Sequence, residues 1–576
     1  MSGKNSMSLP RDLDHGDDSP PSSSHTEKGE NMATENAPST PNKKSTIQIT
    51  ILILALCLSV FLAALDITII TTALPTISEN FHSGAGYTWI GAAYTLGEAA
   101  FTPNWGKFSD IWGRKPILQV AMATFFLGSV LSAASVNLGM LIVGRAIQGV
   151  GGGGLLTLVN IVIGDLFSMR ERGKYYGFVG LTWAVAASLG PVIGGALTEK
   201  ASWRWCFYIN LPITGVVFVV IQLFLKLETP KTPVWAGLKA VDWLGTITIV
   251  GSTVMLLLGL EFGGITYPWN SAIVIDLIVF GVVTAIVFFL IEWKLARYPL
   301  LPLRLFATPS NVANLLACFI HGTVFIMGTF YLPLYFQGVL GAPALLSGVW
   351  LLPFVGAMSF AATFAGAIIG ITGRFVELIW FGFIFLVLGF GLFIDLSSAR
   401  DWPKIIIFQI IAGLGVGPNF QAPLIGLQNG VSPQDLATAT SAYSFARNVA
   451  GSIGVVVGGV IFQNGFQKRA GLLRQGLGAN AGYFLGGGAI ASVDKVKKLP
   501  ALQRDLVRSV YDQAIREIWY FGVAFAAVGL VVILGCRKTV LSKEHVEVST
   551  GLDGEERRRR ENKAASRERN VAEVKD

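Results

Sequence analysis

Apolar stretches long enough to cross a bilayer recur along most of the chain, separated by short turns that collect the charged residues. A hydrocarbon core about 30 Å thick takes about 20 apolar residues of helix. Lipid offers no partner to a backbone polar group, so such segments cross as helices. Spans are expected near 47–74, 87–105, 116–135, 138–164, 174–198, 206–225, 242–261 and 271–292. A second set follows near 310–335, 344–370, 375–396, 403–426, 436–463 and 518–536, which makes fourteen. The fold class is therefore an all-α polytopic membrane protein. A soluble domain could not bury a chain that is 52% hydrophobic and only 14% charged.

Charge then orients the spans. An even count puts both termini on one side. The short loops on that side carry Lys107, Arg114, Lys115, Arg170, Arg172, Lys174, Lys226, Lys231, Lys239, Lys294, Arg297, Arg304 and Arg374. The opposing short loops carry Lys200, Arg204, Arg400 and Lys404. Basic short loops mark the cytoplasmic face, so both termini are expected there, with the plasma membrane as the location and a vacuolar or other internal membrane as the alternative. Residues 1–46 are polar and rich in Ser, Pro, Asp and Glu, as a disordered tail would be. The basic run Arg557–Arg560 can meet anionic lipid or simply face water. The net charge of +8 gathers in short loops and the tail, which does not favour a nucleic-acid partner. Cys57, Cys206, Cys318 and Cys536 stand apart and form no disulfide framework or metal motif. No HExxH and no P-loop Gly-Lys-Ser/Thr occurs, so metalloenzyme chemistry and ATP-driven pumping lack a motif. No nucleophile–base pair suggests an enzyme, and no cofactor is expected.

A few polar residues interrupt the apolar spans, and they carry the chemistry. Asp66 lies inside the first span, where an isolated Asp costs about 2.5–3.5 kcal/mol. It should face a bundle interior or an aqueous cavity, as a proton or cation site or as a structural carboxylate. Arg145 lies within the fourth span and needs a carboxylate, carbonyl or water partner; Gln148 shares its helix face. Glu98 and Asp276 are further acidic candidates, while Asp395 lies near a helix end. Arg447 lies in the thirteenth span with no evident acid. In the loop after the second span, Gly106, Asp110, Gly113, Arg114 and Lys115 read either as a topogenic turn or as a latch between helices that move. Gly190, Pro191, Gly194 and Gly195 in the fifth span are hinge material, since proline bends a helix and glycine leaves room.

In this order the motifs resemble the major facilitator superfamily, in particular its fourteen-helix drug–proton antiporters. Gly106, Asp110, Gly113, Arg114 and Lys115 are similar to the loop motif between helices two and three. Arg145, Gln148 and Gly149 are similar to the proton-linked motif of helix four. Gly190, Pro191, Gly194 and Gly195 are similar to the antiporter motif of helix five, with Ala186 replacing its leading glycine. Asp66, Thr68, Ala73, Leu74 and Pro75 are similar to the first-helix signature. The run from Trp203 through Asn210 to Pro212 resembles the segment entering helix six. Tyr331–Gln337, Ser347-Gly348 and Phe445-Ala-Arg447 resemble the second half, with Pro343 and Ala344 departing from the usual pair.

The resemblance implies a major facilitator fold. Residues 47–225 would form one six-helix bundle, and 226–309 a linker with inserted helices 7 and 8. Residues 310–536 would form the second bundle, including a long non-cytoplasmic loop 464–515, before a cytoplasmic tail 537–576. It implies proton-coupled efflux of amphipathic drugs, toxins or secondary metabolites, with the proton as coupling ion. A siderophore or basic amino-acid transporter is the nearest alternative, and a non-transporting sensor a more distant one. The proton-coupling candidates are Asp66, Arg145, Glu98 and Asp276. Gln148, Gln337 and Arg447 are the substrate-cavity candidates. The expected partners are a small-molecule substrate, the proton and membrane lipid, with the monomer as the working unit.

Overall fold

A computed structural model describes residues 46–81, 84–227, 229–230, 232–264, 267–485, 489–545 and 551. The tail 1–46, apart from Thr46, and the run Arg557–Arg560 lie outside the described residues. Long helices carry the fold. The first set is α1 (Thr46–Asn80), α2 (Gly84–Trp112), α3 (Arg114–Ala133), α4 (Leu138–Leu166), α5 (Met169–Lys200) and α6 (Asn210–Phe224). Two more follow, α7 (Trp243–Phe262) and α8 (Ala272–Lys294). The second set is α9 (Pro309–Gly338), α10 (Leu352–Thr372), α11 (Val376–Phe393), α12 (Trp402–Val416), α13 (Leu436–Lys468) and α14 (Ala501–Val532).

Thirteen helical stretches among the described residues are long and apolar enough to cross a membrane. The expected span 87–105 lies in α2, which is long enough but not among those thirteen. Its Glu98, Asn104, Lys107 and Asp110 dilute the apolar character, and all four are buried. A helix enclosed by other helices is not required to be apolar on every face.

Within the first set, α2 and α3 lie on α4, and α1 lies on α5 and α6. In the second, α9 lies on α13 and α14, while α12 packs on α10 and α11. The sets meet where α5 packs on α10 and α2 on α13. The pair α7–α8 is a hairpin, tied to α2 by Thr246 Oγ1 donating to Asn104 Oδ1 at 2.9 Å.

One expectation is corrected outright. Residues 464–515 are not a long loop. Helix α13 runs on to Lys468, short helices occupy Ala470–Leu477 and Val493–Val496, and α14 already begins at Ala501. Buried Val507, Val510, Tyr511, Ala514, Ile515 and Ile518 recur at helical spacing along its first half. Arg504, Asp505, Arg508, Asp512 and Arg516 lower the mean hydropathy of this half, so apolar runs alone do not reveal an amphipathic helix.

Candidate functional site

Five helices of the first set converge on Asp66. Its carboxylate is wholly buried in α1, as are Arg145 and Gln148 on α4 and Asn210 at the start of α6. Arg145 Nη1 donates to Asp66 Oδ2. Gln148 Nε2 donates to Asp66 Oδ1 at 2.6 Å, and Asn210 Nδ2 donates to the same oxygen at 2.8 Å. The arginine also donates to Gln148 Oε1 at 2.8 Å and, through Nε, to the Ile90 carbonyl of α2 at 3.2 Å. Gln148 makes a further bond to Ser129 Oγ of α3 at 2.9 Å. The Tyr94 ring lies 4.5 Å from the guanidinium carbon. The carboxylate thus sits in a closed network opposite a permanent cation, and adding a proton would break its pairing with that cation.

Glycines bring these helices close enough. A Cβ on Gly149 would lie 2.0 Å from the Tyr94 carbonyl oxygen of α2, and one on Gly128 would lie 2.4 Å from the Gln148 nitrogen. Sequence reasoning singled out Asp66 and Arg145 and set Gln148 on the helix face of Arg145 as a substrate-cavity candidate; the structure instead buries Gln148 in the Asp66 network. That reasoning did not assign Asn210 or Tyr94 to the site. Asn210 carried one signal, a buried-type amide opening an apolar helix within a recognisable run.

Glu98 lies elsewhere on α2, at the seam between the two sets. Asn448 of α13 hydrogen-bonds it and also reaches Thr102 Oγ1 at 3.3 Å. Two candidates are displaced from the interior positions expected of them. Asp276 is exposed, on a helix that packs on α7. Gln337 stands at the last turn of α9 and donates to Ser347 Oγ at 2.9 Å, where it joins α9 to the next segment. The sequence places Asp276 within an apolar span and Gln337 just past the end of one, and puts neither on a particular helix face. Arg447 is partly buried, donates to the Phe420 carbonyl, and donates to the Tyr443 hydroxyl at 2.9 Å. Asp395 is exposed and pairs with Lys404 at 2.7 Å; the hydrogen bond and charge of that lysine pull its carboxyl below the ordinary value.

Asp110 and Arg114 of the loop join a buried ion-pair cluster. Arg114 donates through Nη1 to Asp110 Oδ1 and through Nε to Asp165 Oδ2, each at 2.6 Å, and to Ser109 Oγ at 2.9 Å. Asp165, at the end of α4, was not singled out from the sequence; its signal was a lone acid closing an apolar run. Asp110 Oδ2 lies 3.5 Å from Thr438 Oγ1 in the first turn of α13, where the helix dipole favours a negative charge. Lys115 Nζ donates to the Gln222 carbonyl at 2.7 Å, near the C-terminus of α6. Gly113 turns the chain at φ 92°. A Cβ on Gly106 would lie 2.0 Å from Ser441 Oγ, so the approach of α2 to α13 depends on glycine.

The same end carries further bonds between the sets. Arg170 Nε donates to the Gly370 carbonyl at 2.9 Å, and Arg172 Nη1 donates to Gln428 Oε1 at 3.2 Å. Gln428 Nε2 donates to the Tyr176 hydroxyl at 2.9 Å.

Gly106→Val is expected to open this end. Seen through maleimide labelling of Leu436→Cys, otherwise buried, in a background without the native cysteines, the rate should rise about tenfold for each ~1.4 kcal/mol lost from the closed state. An unchanged rate would show that the α2–α13 contact does not hold the end closed.

The expected hinge has a second structural consequence. Gly190 and Gly194 lie against α1, where a Cβ would come within 2.0 Å of Thr68 Oγ1 and 2.1 Å of the Ile69 carbonyl oxygen. Gly195 faces open space. Pro191 lies inside α5, which continues as one helix from Met169 to Lys200.

A family model described as Major Facilitator Superfamily matches residues 56–455. "MFS-type transporter ppz2" of Metarhizium majus is 49% identical over 534 residues, 92% of each chain. "Efflux pump dotC" of Dothistroma septosporum is 48% identical over 509 residues, 88% of each. "Efflux pump FUS6" of Gibberella moniliformis is 34% identical over 516 residues, 88% of this chain and 91% of the other. Among solved structures, the human organic anion transporter MFSD10 aligns with a TM-score of 0.54 at 15% identity, over 84% of this chain and 99% of its own. The proton:xylose symporter XylE aligns at 0.53 and 14% identity, over 86% and 97%. At such identities the structural likeness is one of fold.

Proposed function

The chain belongs to the Major Facilitator Superfamily, and from that membership we propose that it is a proton-coupled efflux transporter of amphipathic drugs, toxins or secondary metabolites. Relatives described as efflux pumps, similar over most of their length, support export. The single observation that carries the coupling is the closed set of bonds from Arg145, Gln148 and Asn210 to buried Asp66. Protonation of Asp66 removes the anion that Arg145 holds, so the helices sharing that network acquire a second arrangement. Glu98, bonded to Asn448 across the seam, is the second acid in this reading.

Transport proceeds by relative motion of the two helix sets about their seam. The Asp110–Arg114–Asp165 latch closes one end, and its release admits substrate from that side. The basic short loops make that side cytoplasmic. Both termini lie there, and the protein works as a multi-pass monomer in the plasma membrane, with a vacuolar or other internal membrane as the alternative. The coupling ion is the proton, no catalytic step enters, and lipid is the surrounding partner.

Proteoliposomes containing the purified protein test this with an imposed pH gradient and a chemically diverse set of fluorescent amphipathic dyes. Dye accumulation should follow the gradient and collapse when a protonophore dissipates it, with ATP present or absent. Accumulation of the same size without a gradient overturns proton coupling.

A further inference from the structure

A cluster in the second helix set holds polar atoms that the coupling network does not use. Phe325 and Phe420 lie with ring centroids 5.0 Å apart, and Trp183 of α5 reaches across the seam to 5.9 Å from the first and 6.1 Å from the second. His321 is 1% exposed and meets Phe420 edge-on at 5.3 Å. The Arg447 guanidinium lies 4.7 Å from the Phe420 ring and 5.0 Å from the Tyr443 ring. Three helices and the turn Pro418–Phe420 therefore build one aromatic box, with its walls drawn from both sets.

Two polar groups of this box are left unanswered. Arg447 remains charged at every accessible pH, and no carboxylate among the described residues pairs with it. Its Nη2 donates to the Phe420 carbonyl and Tyr443 hydroxyl, while its buried Nε has no partner. A partly buried cation without an anion carries a desolvation cost, and a binding anion would offset it. His321 lies 3.0 Å through Nε2 from the Val416 carbonyl. A carbonyl only accepts, so Nε2 carries the hydrogen and Nδ1, buried without a partner, offers a lone pair. The box thus presents ring faces, a cation and a hydrogen-bond acceptor. The acceptor suits a hydroxyl donor, and the cation suits a carboxylate or phenolate oxygen.

We propose that the Trp183–His321–Phe325–Phe420–Arg447 box binds substrates that are planar aromatic anions, with the anionic oxygen on Arg447 and a ring hydroxyl on His321 Nδ1. This rests on the transport reading above, because the rings fill their own box in the closed arrangement. Separation of the helix sets withdraws Trp183 and leaves the other ring faces free to stack on a ligand. The Asp66 network lies within the first set and the box is built mainly from the second, so proton and substrate occupy separate sites.

The test is equilibrium binding of 2-naphthoate, its neutral 2-naphthamide and 6-hydroxy-2-naphthoate to the purified full-length protein in detergent. Naphthoate should bind at least about tenfold more tightly than the amide, as a charge-assisted bond to arginine implies. Arg447→Gln should abolish that preference and Arg447→Lys should restore part of it. The hydroxyl should improve affinity in the parent protein and not in His321→Phe. Equal binding of acid and amide, no binding of either, or an acid preference surviving Arg447→Gln overturns the proposal. The same protein in proteoliposomes separates the two readings. Acid-selective binding without pH-driven flux would refute transport and leave the box standing; pH-driven flux of dyes without acid preference would do the reverse.

Discussion

Asp66→Asn is expected to reduce pH-driven flux to background and to destabilise the protein at the same time. Asparagine keeps the size of the side chain and can still meet Gln148 and Asn210, but it neither accepts a transferable proton nor neutralises Arg145. The guanidinium is 1% exposed and would be left buried with its cation unanswered. Breaking a buried pair in this way costs about 3–5 kcal/mol. The loss of flux alone is therefore ambiguous, and a second variant resolves it. Asp66→Asn with Arg145→Gln removes both charges, so much of the lost stability should return while flux stays absent. Thermal unfolding in detergent and flux at matched reconstitution density check the two parts. Proton-dependent flux in Asp66→Asn equal to that of the parent would make Asp66 a structural carboxylate and move the coupling role to Glu98.

Gly149→Val and Gly151→Val are expected to prevent folding rather than to impair transport. Both glycines lie inside α4, and the atoms nearest to each are backbone rather than flexible side-chain ends. A Cβ on Gly149 would meet the Tyr94 carbonyl oxygen at 2.0 Å, and one on Gly151 would meet the Phe125 nitrogen at 2.3 Å. Neither α2 nor α3 can yield locally, because each is held to α4 along its length. Overpacking costs about 1–3 kcal/mol even in a core that adjusts, and whole helices must shift here. Monodisperse protein recovered in detergent should fall at least about tenfold for either variant, since ~1.4 kcal/mol already gives that factor. Gly251→Val is the comparison, because a side chain there meets nothing within 4 Å, and its recovery should match the parent. Normal recovery of Gly151→Val would mean that α3 and α4 are less closely joined than their contact implies.

Much of this was legible before any coordinates. Span length and hydropathy are sums over neighbouring residues, so the membrane class and most helices follow from local transfer free energy. The same logic singled out Asp66, Arg145 and Gln148, because a polar group in an apolar span demands a partner whatever the fold. Asp110 and Arg114 were both singled out in their loop, and one helical turn apart in sequence they do pair. What the sequence could not determine was which faces of distant helices meet. That depends on helix rotation and on the choice of neighbours, neither of which is a local property. Only the tertiary structure brought Asn210 to Asp66 and Asp165 to Arg114. It also placed Asp276 on an exposed face, drew Gln337 to Ser347, and put the amphipathic first half of α14 from Ala501 where a loop was expected. The glycines show the division most plainly. The chain's 66 glycines permit close helix packing, but only the assembled bundle distinguishes Gly149, pressed on a backbone carbonyl, from Gly195, which faces open space.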